Sequence, residues 1–313
     1  MPAMTSAPET RLVARPPLSR ATLLGVVGVI VCAMIWGTTW YAITLQLGTV
    51  PPLASIVWRF GLAAAVLFLG CLVFRQNLKL TRAQHLAALG QGAFAFSVSY
   101  SFTYAAEGHV ASAIVAVTFA SLTFLNLILF RLAAGQKAAG ASWGGAILGV
   151  IGVAVLSGGE VLGAGFDDRA ALGVGLAFIA TTASAFGNFF AWKGQQSGSA
   201  AIPSTAWAMA YGTALLVVYG LATGVEFRID PTPTYVGSLL YLALFGSVIA
   251  FGIYFTIART IGYAMASYVS ALTPPIAMLV SALFEGAQFG WSALAGLALV
   301  LSGQALLIRA PKR

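Results

Sequence analysis

The 313-residue sequence predicts an all-α integral membrane protein with ten transmembrane helices in two related halves. Two observations carry this prediction. Hydrophobic residues make up 59% of the chain and charged residues only 8%, where a soluble domain of this size carries roughly a quarter charged. The charges also gather in short stretches between apolar runs of about 20 residues, the length a helix needs to cross a bilayer whose lipid offers the backbone no hydrogen bonds. The mean hydropathy of +0.92 agrees.

The apolar runs fall at 21–44, 53–74, 83–106, 109–133, 142–160, 170–193, 203–222, 234–257, 261–284 and 290–308. Residues 1–20 are polar and proline-containing, with Arg11, Arg15 and Arg20. The run after them exceeds a signal-peptide core and has no small-x-small cleavage site, so it reads as a retained first helix behind a disordered tail. Pro52 lies nine residues before Gly61 in the second span, and Pro203 nine before Gly212 in the seventh. In the ninth, Pro274-Pro275 lies near the middle, where proline removes backbone hydrogen bonds and should kink or break the helix. Residues 309–313 form the closing tail. Connections are short; the longest, Gly158 to Arg169 and Gly224 to Pro233, are polar and turn-rich.

Charge sets the expected orientation. With the N-terminus in the cytoplasm, the inner segments hold Arg11, Arg15, Arg20, Arg75, Lys79, Arg82, Arg131, Lys137, Lys193, Arg259, Arg309, Lys312 and Arg313 of the 16 basic residues. Arg169 and Arg228 fall outside, and Arg59 lies within the second span. This is the positive-inside bias, and it places both termini in the cytoplasm. The net charge of +8 is therefore a matter of topology, and no basic patch with interleaved aromatics points to nucleic acid. Cys32 and Cys71 read as small hydrophobes in the membrane, with too few neighbouring ligands for a metal site.

The halves resemble each other. Trp36-Gly37 in the first span matches Phe186-Gly187 in the sixth, and Pro52 with Gly61 matches Pro203 with Gly212. Val110-Ala111-Ser112 and Thr118 match Met265-Ala266-Ser267 and Thr273, and Gly145 with Gly152 matches Gly296 with Gly303. A five-span unit is odd, so its second copy must insert upside down. The expected units, 21–160 and 170–308, then form an inverted repeat, as in secondary transporters that hold substrate near mid-bilayer and alternate access by rocking.

Ile35-Trp36-Gly37 with Thr38 and Thr39, Arg59-Phe60, Thr273-Pro274-Pro275, Glu285-Gly286 and the Gly296/Gly303 pair together resemble the drug/metabolite transporter superfamily, EamA type. The similarity spans the whole helical chain, and within the superfamily it is most like the bacterial YddG-type exporters of aromatic and neutral amino acids. The first repeat departs from the pattern, with Phe119 opposite Pro274 and Phe130 opposite Glu285. The resemblance implies a central cavity framed by the first, third, fourth, sixth, eighth and ninth spans.

Polar groups inside lipid-spanning segments are costly unless they face the bundle interior, which makes them the substrate-binding candidates. Gln91, Phe94, Ser97, Ser101 and Tyr104 recur at helical spacing on the third span, as do Thr181, Ser184, Asn188 and Trp192 on the sixth. Trp36, Thr38 and Trp40 lie on the first, and Tyr241, Ser247 and Tyr254 on the eighth. Thr118 on the fourth, with Ser270 and Thr273 on the ninth, completes the set. Each has a structural alternative: hydroxyls bond their own backbone, Trp40, Tyr41 and Trp192 anchor at the interface, and Asn126 bridges helices. His85 and His109 read as interfacial and Glu285 as a solvated turn. Arg59, about 9 Å into its span, either snorkels or bonds carbonyls, or else serves an outer gate or binds a carboxylate. Pro274 and Pro275 are hinge candidates.

Aromatics mixed with small hydroxyls suit an apolar or aromatic solute with a polar head. The expected function is export of amino acids or related metabolites across the inner membrane by alternating access. No nucleotide-binding loop is present, and no acid lies in the central third of a span, so the solute's own gradient is the expected energy source. No cofactor, metal or ATPase subunit is expected, and a monomer suffices. The rivals are an exporter of hydrophobic cations or other metabolites, a channel or scramblase, and an intramembrane enzyme, for which no catalytic constellation is visible.

Overall fold

The computed structural model describes residues 20–135, 137–162, 167–260 and 268–309. Among them every regular element is a helix. We label the rods α1 (Arg20–Thr44), α2 (Pro52–Val73), α3 (Arg82–Gln91, Gly92–Val98, Ser99–Glu107), α4 (Ser112–Thr118, Phe119–Ser121, Leu122–Ala134) and α5 (Gly140–Leu162). The second half gives α6 (Asp168–Gln196), α7 (Ala201–Ala222), α8 (Pro233–Leu240, Tyr241–Ile249, Ala250–Thr260), α9 (Tyr268–Phe284) and α10 (Trp291–Arg309). The expected spans agree with these limits to within about three residues wherever the ends are described. Residues 1–19 and 310–313 of the expected tails, and the start of the ninth span with Met265, Ala266 and Ser267, lie outside the described residues.

Seven of the described helices are long and apolar enough to cross a membrane, and α9 and α10 are apolar but shorter. The rod α3 is too polar to join them. Local sequence explains the ends. Thr81 and Gln84 cap α3 reciprocally, the hydroxyl taking the Gln84 N–H at 3.3 Å and the carboxamide taking the Thr81 N–H at 2.9 Å. The Asp167 carboxylate accepts from the Arg169 and Ala170 amides at the start of α6. Gly135, at φ +63°, stops α4 in the left-handed conformation that costs glycine least.

Small residues bring the halves into contact. A Cβ on Gly152 would lie 2.6 Å from the Gly296 carbonyl oxygen, and one on Gly303 would lie 2.4 Å from that of Gly145. Gly152 thus faces Gly296 and Gly145 faces Gly303, so α5 and α10 run antiparallel with their backbones in contact. Membrane helices lack a hydrophobic driving force for association and depend on such close packing. Gly92 of α3 meets α7 in the same way, 2.3 Å from Ala208 O for its notional Cβ.

A second sign of repetition was not visible in the sequence pattern. The middle of α3 (Gly92–Val98) and the middle of α8 (Tyr241–Ile249) are both π-helical. In each, a serine hydroxyl donates to the carbonyl five residues back: Ser97 to Gly92 at 3.2 Å and Ser247 to Leu242 at 2.9 Å. Both residues of the second pair lie 150 positions after those of the first, the same offset that relates Phe186 to Trp36. The fourth rod of the first repeat departs from α-helix where that of the second carries its prolines, although α9 stays α-helical through them. Phe119–Ser121 is 3₁₀ in α4, and Pro274-Pro275, beginning at the counterpart of Phe119, lies inside α9.

Candidate functional site

Two polar seams cross the bundle. The first joins α1, α2 and α8. The Trp36 indole donates to Gly246 O at 3.0 Å, and its ring packs on Phe251 and Tyr254 at 5.2 and 5.5 Å. The Thr38 hydroxyl bonds carbonyls of its own helix and meets the Tyr241 hydroxyl at 2.5 Å. Arg59 is 1% exposed, so it does not snorkel. Its Nε donates to Ser247 Oγ at 3.3 Å, and its guanidinium lies 4.6 Å from the Tyr100 ring and 5.1 Å from that of Phe60. Arg59 Nη1 has no hydrogen-bond partner. The one ion pair among the described residues is elsewhere, between exposed Arg228 and Glu226 at 3.7 Å. Arg59 is thus a buried cation set among hydroxyls and aromatic faces and in no close ion pair.

The second seam joins α3, α4 and α6. The Ser99 and Ser184 hydroxyls lie 2.7 Å apart, Phe94 stacks on Phe190 at 5.7 Å and packs on Phe186 at 5.4 Å, and the Asn188 carboxamide reaches that of Asn126 at 3.5 Å. Asn126 does bridge helices, and its partner is the Asn188 that sequence reasoning nominated for substrate.

The expected single stripe on α3 does not hold together. Phe94 faces α6, Ser97 donates to Gly212 O of α7 at 2.9 Å, and Tyr104 donates to Gln46 past the end of α1 at 2.7 Å. The cause is the π segment, which carries more residues per turn than the 3.6 on which the stripe was drawn and rotates everything beyond it. Gln91 is buried immediately before that segment, 150 positions before Tyr241; Ser101 is half-buried. Thr118 and Thr273 donate to their own helices, to Ile114 O at 2.7 Å and Val269 O at 2.9 Å, and Ser270 is exposed. Two apolar-walled clefts lie at the far end, between α2, α7 and α8; one, of about 330 Å³, is lined by Leu67, Phe74, Ile202 and Phe251 among others. No nominated residue lines either.

Two of these residues have contacts not foreseen, and one expectation needs correction. The His85 Nδ1 meets the Tyr211 hydroxyl at 2.9 Å and its ring packs on Trp207 at 5.0 Å. Trp192 is packed against Phe130 and Phe189 at 5.6 and 5.7 Å. Glu285 does not sit in a solvated turn: it is half-buried, accepts from the Ser112 N–H at 3.3 Å and takes the Ser281 hydroxyl. Sequence reasoning passed over Gln46, Ser99, Tyr100 and the burial of Glu107. Only a register allowing for the π segment would have placed Ser99 and Tyr100 inward.

At Pro274 and Pro275 the missing amides withdraw the donors that would serve the Ser270 and Ala271 carbonyls. If this is a hinge, alanine at both positions restores a stiff helix. Transport and exchange should then fall several-fold with the protein still folded; unchanged exchange in proteoliposomes rules the hinge out.

Apolar helices packed closely through an antiparallel α5–α10 contact, with polar seams inside the bundle, suit a membrane transporter. Comparison with known proteins agrees. The chain matches the EamA-like transporter family model twice, over residues 23–158 and 171–309, and belongs to that family. It is 28% identical over 271 residues to the uncharacterized inner membrane transporter YedA of Escherichia coli K12, covering 83% of this chain and 84% of the relative; the forms in strains O6:H1 and O157:H7 match equally. A solved crystal structure shares the fold, with a TM-score of 0.66 at 19% identity over 91% of this chain and 95% of the other.

Proposed function

We propose that this chain exports amino acids, aromatic and mainly neutral ones, across the inner membrane by alternating access. In this reading all ten rods cross the bilayer, the two EamA units are inverted relative to each other, and both termini face the cytoplasm. The substrate's own gradient drives transport. The paired π segments and the antiparallel α5–α10 contact support two halves that exchange roles.

The observation that carries the choice of substrate is Arg59. A buried guanidinium with an unpartnered Nη1, walled by Tyr100 and Phe60, suits a carboxylate joined to an apolar or aromatic body, and it repels a hydrophobic cation. Trp36, Thr38, Tyr241 and Ser247 line the same seam.

The test is reconstitution into liposomes with labelled phenylalanine. Saturable uptake, acceleration by phenylalanine preloaded inside, and competition by neutral amino acids but not by amines or nucleosides are expected. Conductance or lipid flipping without saturation would favour a channel or scramblase. Uptake that strictly required a pH gradient would overturn the gradient-driven mechanism.

A further inference from the structure

At the end of the bundle where α3 and α9 finish, the outer end in the reading above, two acids meet with too few donors. Glu107, the last residue of α3, is 7% exposed, and neither of its carboxylate oxygens has a hydrogen-bond partner. Glu285 reaches the same place from the other repeat. Its Oε2 takes the Ser112 N–H and the Ser281 hydroxyl, and its Oε1 is unpartnered. The two nearby charges act on Glu107 in opposite senses: Glu285 opposes a negative charge there and Arg59 favours one. A third, uncharged observation marks the spot. The Ser112 hydroxyl, 1% exposed and beside the carboxylate that its own amide binds, also lacks a partner.

The other charged and titratable groups around the pair are accounted for. Arg59 comes from α2 and is held by Ser247; Tyr104 of α3 donates to Gln46; Tyr100 lies under Arg59. His109, in the α3–α4 turn, has a buried Nδ1 without a partner, Arg169 of α6 donates to Gly108 O at 3.0 Å, and Tyr41 of α1 stacks on Phe284. None of them gives Glu107 a hydrogen bond. A carboxyl group buried without a donor, with a second carboxyl beside it, favours the neutral form.

We propose that Glu107, beside Glu285, is a proton-binding site, loaded in this conformation and emptied when the halves part at this end. The contacts to be broken are on the page. Glu285 holds Ser112, Arg169 holds Gly108, and Asp230 of the α7–α8 loop takes the Thr49 hydroxyl of the α1–α2 loop at 2.7 Å. Each ties one repeat to the other. Parting them admits water, Glu107 ionises, and the proton leaves to the same side from which it came. Protons therefore gate export without driving it. External acid holds this end closed, and external alkali releases it. The sidedness rests on the orientation proposed above; the proton site does not.

The experiment is an infrared pH titration of the full chain in liposomes, following the C=O stretch of a protonated carboxyl. The wild type should show that band at neutral pH. Glu107→Gln should lose it, Glu107→Asp should keep it, and Glu285→Gln should move its midpoint down by about one pH unit or more. Absence of the band at neutral pH, or its survival in both glutamine variants, overturns the proposal. Loss of the band on replacing choline by sodium at fixed pH would assign the site to a metal cation and overturn it too. In parallel, phenylalanine efflux should slow several-fold as the outer solution is acidified, and Glu107→Gln should remove that dependence. A wild type that carries no amino acid yet shows the band refutes the substrate reading and leaves the proton site standing.

Discussion

Arg59→Leu is expected to leave a folded, membrane-inserted protein that has lost transport of carboxylate-bearing substrates by more than about tenfold, the change that 1.4 kcal/mol of lost interaction produces. Burying a guanidinium carries a desolvation penalty of several kcal/mol, and here no carboxylate offsets it directly. The partners that hold it are Ser247 Oγ at 3.3 Å and the rings of Tyr100 and Phe60. Leucine fills part of the space and removes the charge, so thermal stability should hold or rise. A purely structural arginine would give the opposite pattern, with stability and transport falling together. Lysine is not an equivalent replacement: it is a point charge that lacks the planar fork for stacking and for bidentate binding of a carboxylate. Arg59→Lys should therefore recover only a fraction of the rate. The measurements are thermal unfolding in detergent and initial uptake of labelled phenylalanine, made on the same preparations.

The second large effect is on assembly. A Cβ at Gly303 would lie 2.4 Å from Gly145 O and 2.8 Å from Gly149 N, both of them backbone atoms. Neither can swing aside as a side chain would, so α10 must move away from α5. Gly303→Ala should cost about 1–3 kcal/mol, and Gly303→Leu should abolish the folded monomer on size-exclusion chromatography. Gly144, also on α5, is the control. It is exposed and a Cβ there meets nothing within 4 Å, so Gly144→Ala should be neutral, or should stabilise by up to about 1 kcal/mol through helix propensity. Equal damage from both substitutions would mean that the α5–α10 contact does not govern assembly.

The helix limits were legible because bilayer thickness and backbone satisfaction act on composition, and composition is in the sequence. The glycine pairs 145/152 and 296/303 were legible too, since only glycine allows backbones so close. The interior register was less accessible. The stripe on α3 was drawn at 3.6 residues per turn, and the π segment at Gly92–Val98 broke it, placing Phe94, Ser97 and Tyr104 against three different neighbours. Arg59 shows another limit. Its depth along α2 was readable, but the direction of its side chain depends on α3 and α8, which approach from distant parts of the chain. Glu285 failed for the same reason. A carboxylate at a helix end looks solvated until Ser112, 173 positions earlier, is brought beside it.

The matched π segments also bear on the history of the chain. A π segment is rare and appears mostly as a bulge inside an α-helix, often at a functional site. Finding it in the third rod of both EamA units, at the same offset and with the same serine answering the same carbonyl, favours a single event in an ancestor with one five-helix unit. Such an ancestor had to pair with a second copy of itself to complete the bundle. Fusion into one chain then freed the halves to diverge, leaving Arg59 and the double proline each in only one of them.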